Sequence, residues 1–421
     1  FTDQQGNQPE ITVPQGTEIV FVSDMFVEDY VGGAELTSEA LITSSPFNLF
    51  KLHSKDVSLK VLEQAQSAHW VFGNFSSMDL NLIPTIVANM NYTVLEYDYK
   101  FCKYRSIEKH KLAENKDCDC HEQPYGKMIS AFFYGARSLW WMSEDQMDLY
   151  HKIFPFLEER DNVVLSSVFD DAFFLAVKML RNKYKDSERK GWIVLGSTSW
   201  IKGADAAEQW CKDNDKEYEV LWNVGYEEVL EKLAQAEGFV YLPEGNDTCP
   251  RMVIEAKLLG CKLHINDYVQ HAKEIWFDTD DMFDTEAYLY AARERFWGGV
   301  KKDMNYSPSV SGYTTTLNCI KHDYPWKQSI SSMLGFCDEV VVVDGGSDDG
   351  TLEELQKWSE TEERLKVHLV KRDWDDTRFA VYDGAQKAEA RKRCTGAFCW
   401  QQDADEVVHE NDYSKVSDLV R

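Results

Sequence analysis

The sequence lacks any apolar run close to the roughly 20 residues that a membrane-spanning helix needs. It also lacks an apolar leader, because residues 1–16 are mostly polar, so we expect no secretory signal. Basic residues are scarce: 45 lysines and arginines face 72 aspartates and glutamates, for a formal net charge of −27. That balance argues against nucleic acid and against anionic membrane surfaces as partners.

Regular cysteine spacing and internal repeats are missing as well. The ten cysteines are irregularly placed, which is typical of reduced thiols and predicts a cytoplasmic protein rather than a disulfide scaffold. No repeat of about 20–50 residues is visible, which excludes solenoids and propellers. A chain of 421 residues predicts two or three ordinary globular domains.

The most informative stretch lies in the last third of the chain. Four consecutive valines, 340–343, predict a strand that is buried on both faces. The run ends at Asp344, then two glycines and Ser347, and a charged amphipathic segment follows. An acidic group at the tip of a buried strand, beside a glycine turn, is where open α/β sheets hold nucleotides.

A second acidic motif follows about sixty residues later, where a short apolar run ends at Asp403 and Asp405. On an extended segment, side chains two residues apart point the same way. Two carboxylates so placed suit a hard divalent cation that also takes substrate phosphates.

Asp344-Gly-Gly-Ser347 followed by Asp403-Ala-Asp405 resembles a family 2 glycosyltransferase with the GT-A fold. The resemblance implies that the loop of Asp344 and Ser347 binds the donor, with Asp344 on the nucleotide base. It also implies that Asp403 and Asp405 hold the Mn²⁺ or Mg²⁺ that bridges the sugar-nucleotide pyrophosphate. The competing interpretation is an unrelated Rossmann-like strand with two acidic loops.

The segment between the two motifs extends the resemblance. Ala390-Arg391 and Thr395-Gly396 are similar to the family's Ala-Arg-Asn…Gly stretch, with Lys392 where Asn is usual. Arg391 is therefore expected to pair with a phosphate or a loop carboxylate. A metal-dependent nucleotidyltransferase is disfavoured, because residues 314–318 supply no glycine- and lysine-rich phosphate loop.

The chain begins at Phe1 and ends at Arg421, soon after the second motif. We expect a fragment in which this domain is present only as its nucleotide-binding half. No catalytic base can be assigned, because the resemblance places it beyond Arg421.

The first 300 residues alternate strand and helix patterns, which predicts parallel sheets with helices on both faces. The pattern restarts after the charged stretch 175–190, interpreted as a flexible boundary between two Rossmann-like halves. The predicted organisation is a first half (1–174), a donor-binding half (175–302), a linker (303–312) and a partial GT-A domain (313–421).

Two motifs in these halves predict anion and nucleotide binding. After the strand pattern 17–23, Gly32-Gly33 opens a helix, and free N–H groups at helix starts bind anions; a simple tight turn is the alternative. In the second half a strand ends in a polar loop with Asp247, and a helix carrying Glu255 follows. Glu255 lies about where it could accept both ribose hydroxyls; a helix N-terminal charge is the alternative.

An acidic residue, seven residues and then Glu resembles the donor half of family 4 glycosyltransferases, which have the GT-B fold. Asp247 and Glu255 fill the two acidic places, and Gly32-Gly33 matches that family's glycine loop. The resemblance covers about residues 17–297 and implies metal-independent, retaining transfer. It departs in one respect: Ser197 stands where an Arg is usual, so Lys202 lacks its partner cation and Arg251 is the candidate substitute.

We therefore expect a hexosyltransferase-type enzyme with two transferase modules and a nucleotide-sugar donor. The acceptor, whether glycan, lipid-linked or protein, stays open. The alternative is a catalytically degenerate nucleotide-sugar-binding scaffold, which Ser197 favours for the first module only.

A separate cluster combines Cys102, His110, Cys118 and Cys120, with His121 beside them. Cysteines and histidines in a loop rich in Lys and Glu are compatible with a closed structural zinc site. The spacing matches no standard finger, so free thiols in an insertion are the favoured interpretation.

Overall fold

The computed structural model describes residues 11–304, 309–372 and 378–420. The chain divides into two compact units, Phe1–Met304 and Asn305–Arg421, called here the first and the last unit.

The first half of the first unit is built on one parallel sheet. Its strands are β1 (Ile19–Ser23), β2 (Leu49–His53), β3 (His69–Phe72), β4 (Asn91–Glu96), β5 (Ser138–Trp141) and β6 (Asp161–Val164). Its helices are α1 (Gly33–Thr43), α2 (Leu59–Gln64), α3 (Ile83–Asn89), α4 (Ile107–Glu114), α5 (Pro124–Gly135) and α6 (Glu144–Ile153). The strand order is β2-β1-β3-β4-β5-β6, and β1 is buried throughout because apolar clusters cover both faces.

The second half of the first unit carries a smaller parallel sheet. Helix α7 (Asp171–Tyr184) leads into β7 (Trp192–Leu195), α8 (Ala204–Asp213), β8 (Tyr218–Leu221), α9 (Tyr226–Gln235), β9 (Gly238–Tyr241), α10 (Arg251–Leu258) and β10 (Lys262–Ile265). The strand order is β10-β9-β7-β8. Two parallel sheets with intervening helices confirm the predicted pair of Rossmann-like halves.

Helices α11 (Met282–Tyr290) and α12 (Ala292–Met304) close the first unit. Helix α12 returns to the first sheet. Phe296 packs on Trp140 with ring centroids 5.0 Å apart, and buried Asp303 accepts hydrogen bonds from Thr93 and Ser138. The two halves are thus held together at a point remote in sequence from their junction.

The last unit contains β11 (Val310–Thr316), α13 (Trp326–Leu334), β12 (Glu339–Asp344), α14 (Thr351–Ser359), β13 (Leu365–Leu369), α15 (Phe379–Arg391), β14 (Phe398–Gln401) and α16 (Tyr413–Val420). Its parallel sheet has the order β13-β12-β11-β14. The valine strand β12 is central, and all four valines are fully buried, as predicted. The α/β class expected for this part of the chain is confirmed.

Two local expectations need correction. The stretch 175–190, predicted to be flexible, is mostly helical: α7 runs to Tyr184, whose hydroxyl donates to Glu231 on α9 at 2.5 Å. Its charge reflects a half-exposed helix face and not a mobile segment. The predicted linker 303–312 contains the first residues of β11, which begins at Val310, and residues 305–308 lie outside the described residues.

Candidate functional site

Arg251 lies where the two halves of the first unit meet. It begins α10 in the second half, but its guanidinium donates to the carbonyl oxygen of Val168 and approaches Thr37 Oγ1 at 3.4 Å. It also stacks on the Phe169 ring, 3.9 Å from the centroid. A Cβ added to Gly33 would lie 3.7 Å from Arg251 Cδ. The structure therefore brings the Gly32-Gly33 loop and the start of α10 together.

Glu255 lies one turn further along α10 and is only 3% exposed. Its carboxylate accepts a hydrogen bond from the Tyr226 hydroxyl at 2.8 Å and lies 3.5 Å from Arg251 Nε. Burial raises the pKa of Glu255, and the charge of Arg251 opposes that rise. Because the cation is next to it, the carboxylate is held as part of a buried ion pair.

Asp247 and Lys202 form the second polar pair of this loop region. Lys202 Nζ is 2.7 Å from Asp247 Oδ2, and the Tyr241 hydroxyl donates to the same oxygen at 2.5 Å. Burial acts to raise the pKa of Asp247, but Lys202 and these hydrogen bonds outweigh it and lower that pKa. Gly203 follows Lys202 with a φ of +66°, and a Cβ there would overlap the Leu242 carbonyl, so glycine is required for this close approach.

The Gly32-Gly33 loop opens α1 as predicted. Gly32 has extended backbone, and a Cβ there would come within 2.5 Å of Glu35 Oε2. Glu35 lies in the first turn of α1, and burial raises its pKa. Ser197 stands in place of the expected Arg. Its hydroxyl accepts a hydrogen bond from the backbone N–H of Ser199 at 3.1 Å and so stabilises the local turn.

In the last unit, Asp344 closes β12 and is fully buried. Its carboxylate accepts the backbone N–H groups of Gly346 and Ser347, the Ser347 hydroxyl and the Thr316 hydroxyl, at 2.7–2.9 Å. Ser347 Oγ in turn accepts the N–H of Asn318 at 2.9 Å. These four bonds make Asp344 the organiser of the loop between β12 and α14.

Asp403 follows β14, which lies beside β11, and β11 lies beside β12. The carboxyl ends of these parallel strands are at one edge of the sheet, so Asp344 and Asp403 flank β11 about 10 Å apart, or two strand spacings. The sequence-based hypothesis requires this proximity.

The segment Asp403–Asp405 is not extended, which corrects the expectation that the two side chains point the same way for that reason. Glu406 N donates to the Asp403 carbonyl at 3.0 Å, and Asp403 N donates to Glu406 Oε2 at 3.0 Å. These two bonds close a turn. Asp403 remains 45% exposed and Asp405 is exposed, so both carboxylates face solvent at this edge.

Two residues that the sequence did not single out hold this turn. Lys387 on α15 lies 2.8 Å from Asp403 Oδ1 and 3.3 Å from Asp383 Oδ2, and its hydrogen bond to Asp403 raises the pKa of Lys387. Gln402 is buried and donates to the Ser329 carbonyl at 3.1 Å and to the Glu406 carbonyl at 2.9 Å. The sequence contains two features that could have indicated these residues. One is a lysine one helical turn before Arg391, and the other is an amide side chain next to Asp403.

Arg391, expected at the donor site, makes no contact with Asp344 or Asp403 among the hydrogen bonds and ion pairs of the described residues, so its role stays a prediction. It ends α15 and is exposed. Just beyond it, Thr395 donates to Glu339 at the start of β12, and Gly396 donates to Ser311 at the start of β11. Arg391 therefore lies toward the amino ends of the strands, where a shallow recess of 340 Å³ contains Glu339 and Thr395.

Cys102, His110, Cys118 and Cys120 come together in the first unit, whereas His121 does not join them. Their ligand atoms all lie within 4.8 Å of one another. Among the residues that the structure describes, no other group of three or more His, Cys, Asp or Glu side chains has this arrangement. The predicted cluster is thus a real juxtaposition, whereas Asp403, Asp405 and Glu406 do not form such a group.

Residues 327–420 match the family described as Glycosyl transferase family 2. The matched range spans most of the last unit, including the Asp344 loop and the Asp403 turn. This part of the chain is therefore similar to family 2 glycosyltransferases. A search of curated proteins gave no match.

Solved structures resemble the chain only distantly. A UDP-forming α,α-trehalose-phosphate synthase from Burkholderia xenovorans is 8% identical over 68% of this chain and 95% of its own, with a TM-score of 0.41. TarM is 10% identical over 58% of this chain and 54% of its own, at 0.31. UGT2 of Phytolacca americana, solved with UDP-2-fluoroglucose and pterostilbene, is 8% identical over 68% and 99%, at 0.31.

Within residues 11–304, 309–372 and 378–420, no helix is long and apolar enough to cross a membrane.

Proposed function

We propose that the protein transfers hexosyl groups from nucleotide-sugar donors in both units, without a metal ion in the first and with Mn²⁺ or Mg²⁺ in the last. The observation that carries the proposal is the family 2 match over residues 327–420 together with Asp344 and Asp403 at one edge of the matched sheet. A glycan, lipid-linked or protein acceptor remains open. Ten free cysteines support a reducing compartment, the cytoplasm.

In the last unit, Asp403 and Asp405 would hold the metal ion. Two solvent-facing carboxylates fit a hard cation that keeps waters and takes phosphate oxygens. The ion supplies neutralisation of the leaving diphosphate. Asp344 already accepts four hydrogen bonds, so its role is to shape the loop of residues 345–348 against the base, with Ser347 tying that loop to Asn318.

In the first unit, the chain itself supplies the positive charge. The start of α1 at Gly33 lies next to Arg251, and helix starts attract phosphate. Lys202 would leave its ion pair with Asp247 and bind the donor diphosphate instead. This movement is feasible because the lysine is 38% exposed and its side chain can rotate. Glu255 would accept the ribose hydroxyls beside Arg251.

A second candidate for the first unit is a donor-binding scaffold without turnover. Ser197 replaces a cation, and both remaining cations are paired within the chain: Lys202 with Asp247 at 2.7 Å and Arg251 with Glu255 at 3.5 Å. Donor phosphates must therefore compete with internal carboxylates, which lowers transition-state stabilisation.

The test titrates the whole chain with UDP-, GDP- and dTDP-sugars in Mn²⁺ and in chelator, and measures donor hydrolysis alongside. We expect one metal-independent and one metal-dependent binding event. Glu255→Gln should weaken the first about tenfold, the cost of a hydrogen bond to a charged group, while the exposed Glu228→Gln on α9 should not. An unchanged dissociation constant for Glu255→Gln refutes the ribose role. Metal-independent binding without hydrolysis supports the scaffold.

A further inference from the structure

The cysteine and histidine cluster of the first unit has the geometry of a metal centre. His110 Nδ1 lies 3.4 Å from Cys120 Sγ and 3.7 Å from Cys102 Sγ. Tetrahedral zinc with bonds of about 2.3 Å to sulfur and 2.0–2.1 Å to nitrogen places neighbouring ligand atoms about 3.5–3.8 Å apart. The separations around His110 therefore match a closed Cys₃His site.

The second ring nitrogen of His110 is buried and makes no hydrogen bond. Asp119 Oδ1 lies 3.9 Å from it, and a carboxylate near this nitrogen is a common partner of a metal-bound imidazole. A disulfide would use two of the three thiols and leave the third thiol and the imidazole buried together. A zinc ion uses all four groups at once.

The segment around the cluster touches the apolar core of the first half at both of its ends, while helix α4 between them has only a small apolar contact. Of the eight residues of α4, His110 alone is fully buried, and Ile107 adds a partly buried contact with the core. A short charged helix of this kind is marginal in water without an added constraint. Metal binding supplies such a constraint because the ligands must converge.

The same segment reaches both halves of the first unit. Arg105 adopts a left-handed backbone with a φ of 56°, which is costly for a residue other than glycine. Its guanidinium donates to Asp98 at 2.6 Å and to Asn74 at 2.5 Å and lies 3.5 Å from Asp24. Asn74 and Asp24 follow β3 and β1, so Arg105 covers the carboxyl edge of the first sheet.

On the other side, the segment touches the loop that precedes α10. A Cβ built on Gly245 would lie 3.0 Å from Glu108 Cγ, and Asp247 is two residues further along. Ser106 caps α4 through the N–H of Lys109 at 3.2 Å and donates to Glu108 at 3.0 Å. The position of Glu108 is thereby tied to the cluster.

We propose that Cys102, His110, Cys118 and Cys120 bind one Zn²⁺, and that the ion fixes residues 102–120 as a clasp between the carboxyl edge of the first sheet and the Gly245 loop. Binding releases the protons of three thiols, and the imidazole coordinates in its neutral form through Nδ1. The site is structural because four protein ligands leave no open position.

The test measures metal in the whole chain purified under reducing conditions with zinc supplied. We expect about one zinc ion per chain and, after exchange for Co²⁺, the thiolate charge-transfer and visible bands of a tetrahedral centre. Cys118→Ser should lose most of the metal, whereas Cys211→Ser, which alters a buried thiol of α8 outside the cluster, should keep it. Wild-type chain without zinc, or with a disulfide among these cysteines, overturns the proposal, and this result does not depend on how any variant folds.

Hydrogen exchange then tests the clasp itself. Chelation of the wild-type chain should speed amide exchange in residues 102–120 and in the Gly245 loop, and leave α13 of the last unit unchanged. Zinc that leaves without altering exchange in either segment would overturn the clasp. No sugar nucleotide enters either measurement, so the outcome is separate from the proposed transfer reaction.

Discussion

The two candidate donor sites handle charge in opposite ways. In the first unit, Arg251 and Glu255 are 8% and 3% exposed, and the cations belong to the chain. In the last unit, Asp403 is 45% exposed and Asp405 is exposed, so the carboxylates at the sheet edge call for a cation from solution. Under the proposed function, the two units would bind a diphosphate by two different routes, and each route predicts a different response to metal, pH and substitution.

The largest expected effect is loss of the metal route. Asp403→Asn combined with Asp405→Asn should abolish metal-stimulated donor hydrolysis by the last unit, by about 10³-fold, because a metal ion contributes several kcal/mol at a leaving phosphate. Metal-independent binding by the first unit should be unchanged. The measurement is hydrolysis and calorimetric titration of the whole chain in Mn²⁺.

Asp412→Asn is the control, since that half-exposed carboxylate pairs with Lys415 in the same unit. If the double variant keeps its affinity for donor in Mn²⁺, the metal assignment is refuted. If the double variant also weakens donor binding in chelator, then the metal-independent binding does not belong to the first unit alone.

The elements of these sites that could be predicted are those set by local sequence. Four valines ending at Asp344 specify a central strand and its loop, and Asp247 followed by Glu255 specifies a loop and a helix start. The contacts that modify them are long-range. Arg251 reaches Val168, which is 83 residues away, and no local pattern encodes that contact.

The departures from expectation have the same origin. The spacing of motifs predicts Arg391 at the donor site, whereas Arg391 ends α15, a helix that runs back along the sheet. Lys387, one turn earlier, reaches Asp403 instead. The turn at Asp403 depends on the side chain of Glu406, which an alternation rule for strands does not include.

A smaller effect concerns pH, where the two units should respond with opposite sign. Glu274 accepts the N–H of Glu144 at 2.9 Å and so joins the halves of the first unit, and burial raises the pKa of Glu274 to about 7. The folded state then binds this proton more tightly than the unfolded state does. Stability from Glu274 is present below about pH 4.5 and declines as the pH rises to about 7.

Glu274→Gln removes this titration. Relative to wild type, the variant should gain stability between pH 4.5 and 7 by on the order of 3 kcal/mol, at 1.36 kcal/mol for each unit of pKa shift. Urea unfolding of the first unit at a series of pH values measures it. A constant difference between the two proteins across that range contradicts the raised pKa.

Glu339 of the last unit is the comparison group. Burial acts to raise the pKa of Glu339, but hydrogen bonds from Ser311 and Thr395 outweigh it and lower that pKa. Its contribution is therefore present at neutral pH and is lost as the pH falls below its ordinary range near 4.5. The Glu339→Gln variant should therefore be less stable than wild type at neutral pH, and this difference should shrink as the pH falls. Glu274→Gln should instead gain stability relative to wild type as the pH rises.

The smallest effect should come from Lys387, whose ammonium group forms an ion pair with the Asp403 carboxylate. Lys387→Gln removes a competing cation, so Mn²⁺ should bind the last unit about two- to fivefold more tightly, the range expected for a partly exposed ion pair. Lys392→Gln is the matched control, because that lysine lies just beyond the end of the same helix and pairs with Glu389. Titration of Mn²⁺ without donor measures the effect directly. Weaker Mn²⁺ binding in Lys387→Gln would mean that the lysine supports the metal site rather than competing for it. In that case both units would use a cation of the chain, and the source of the positive charge would no longer distinguish them.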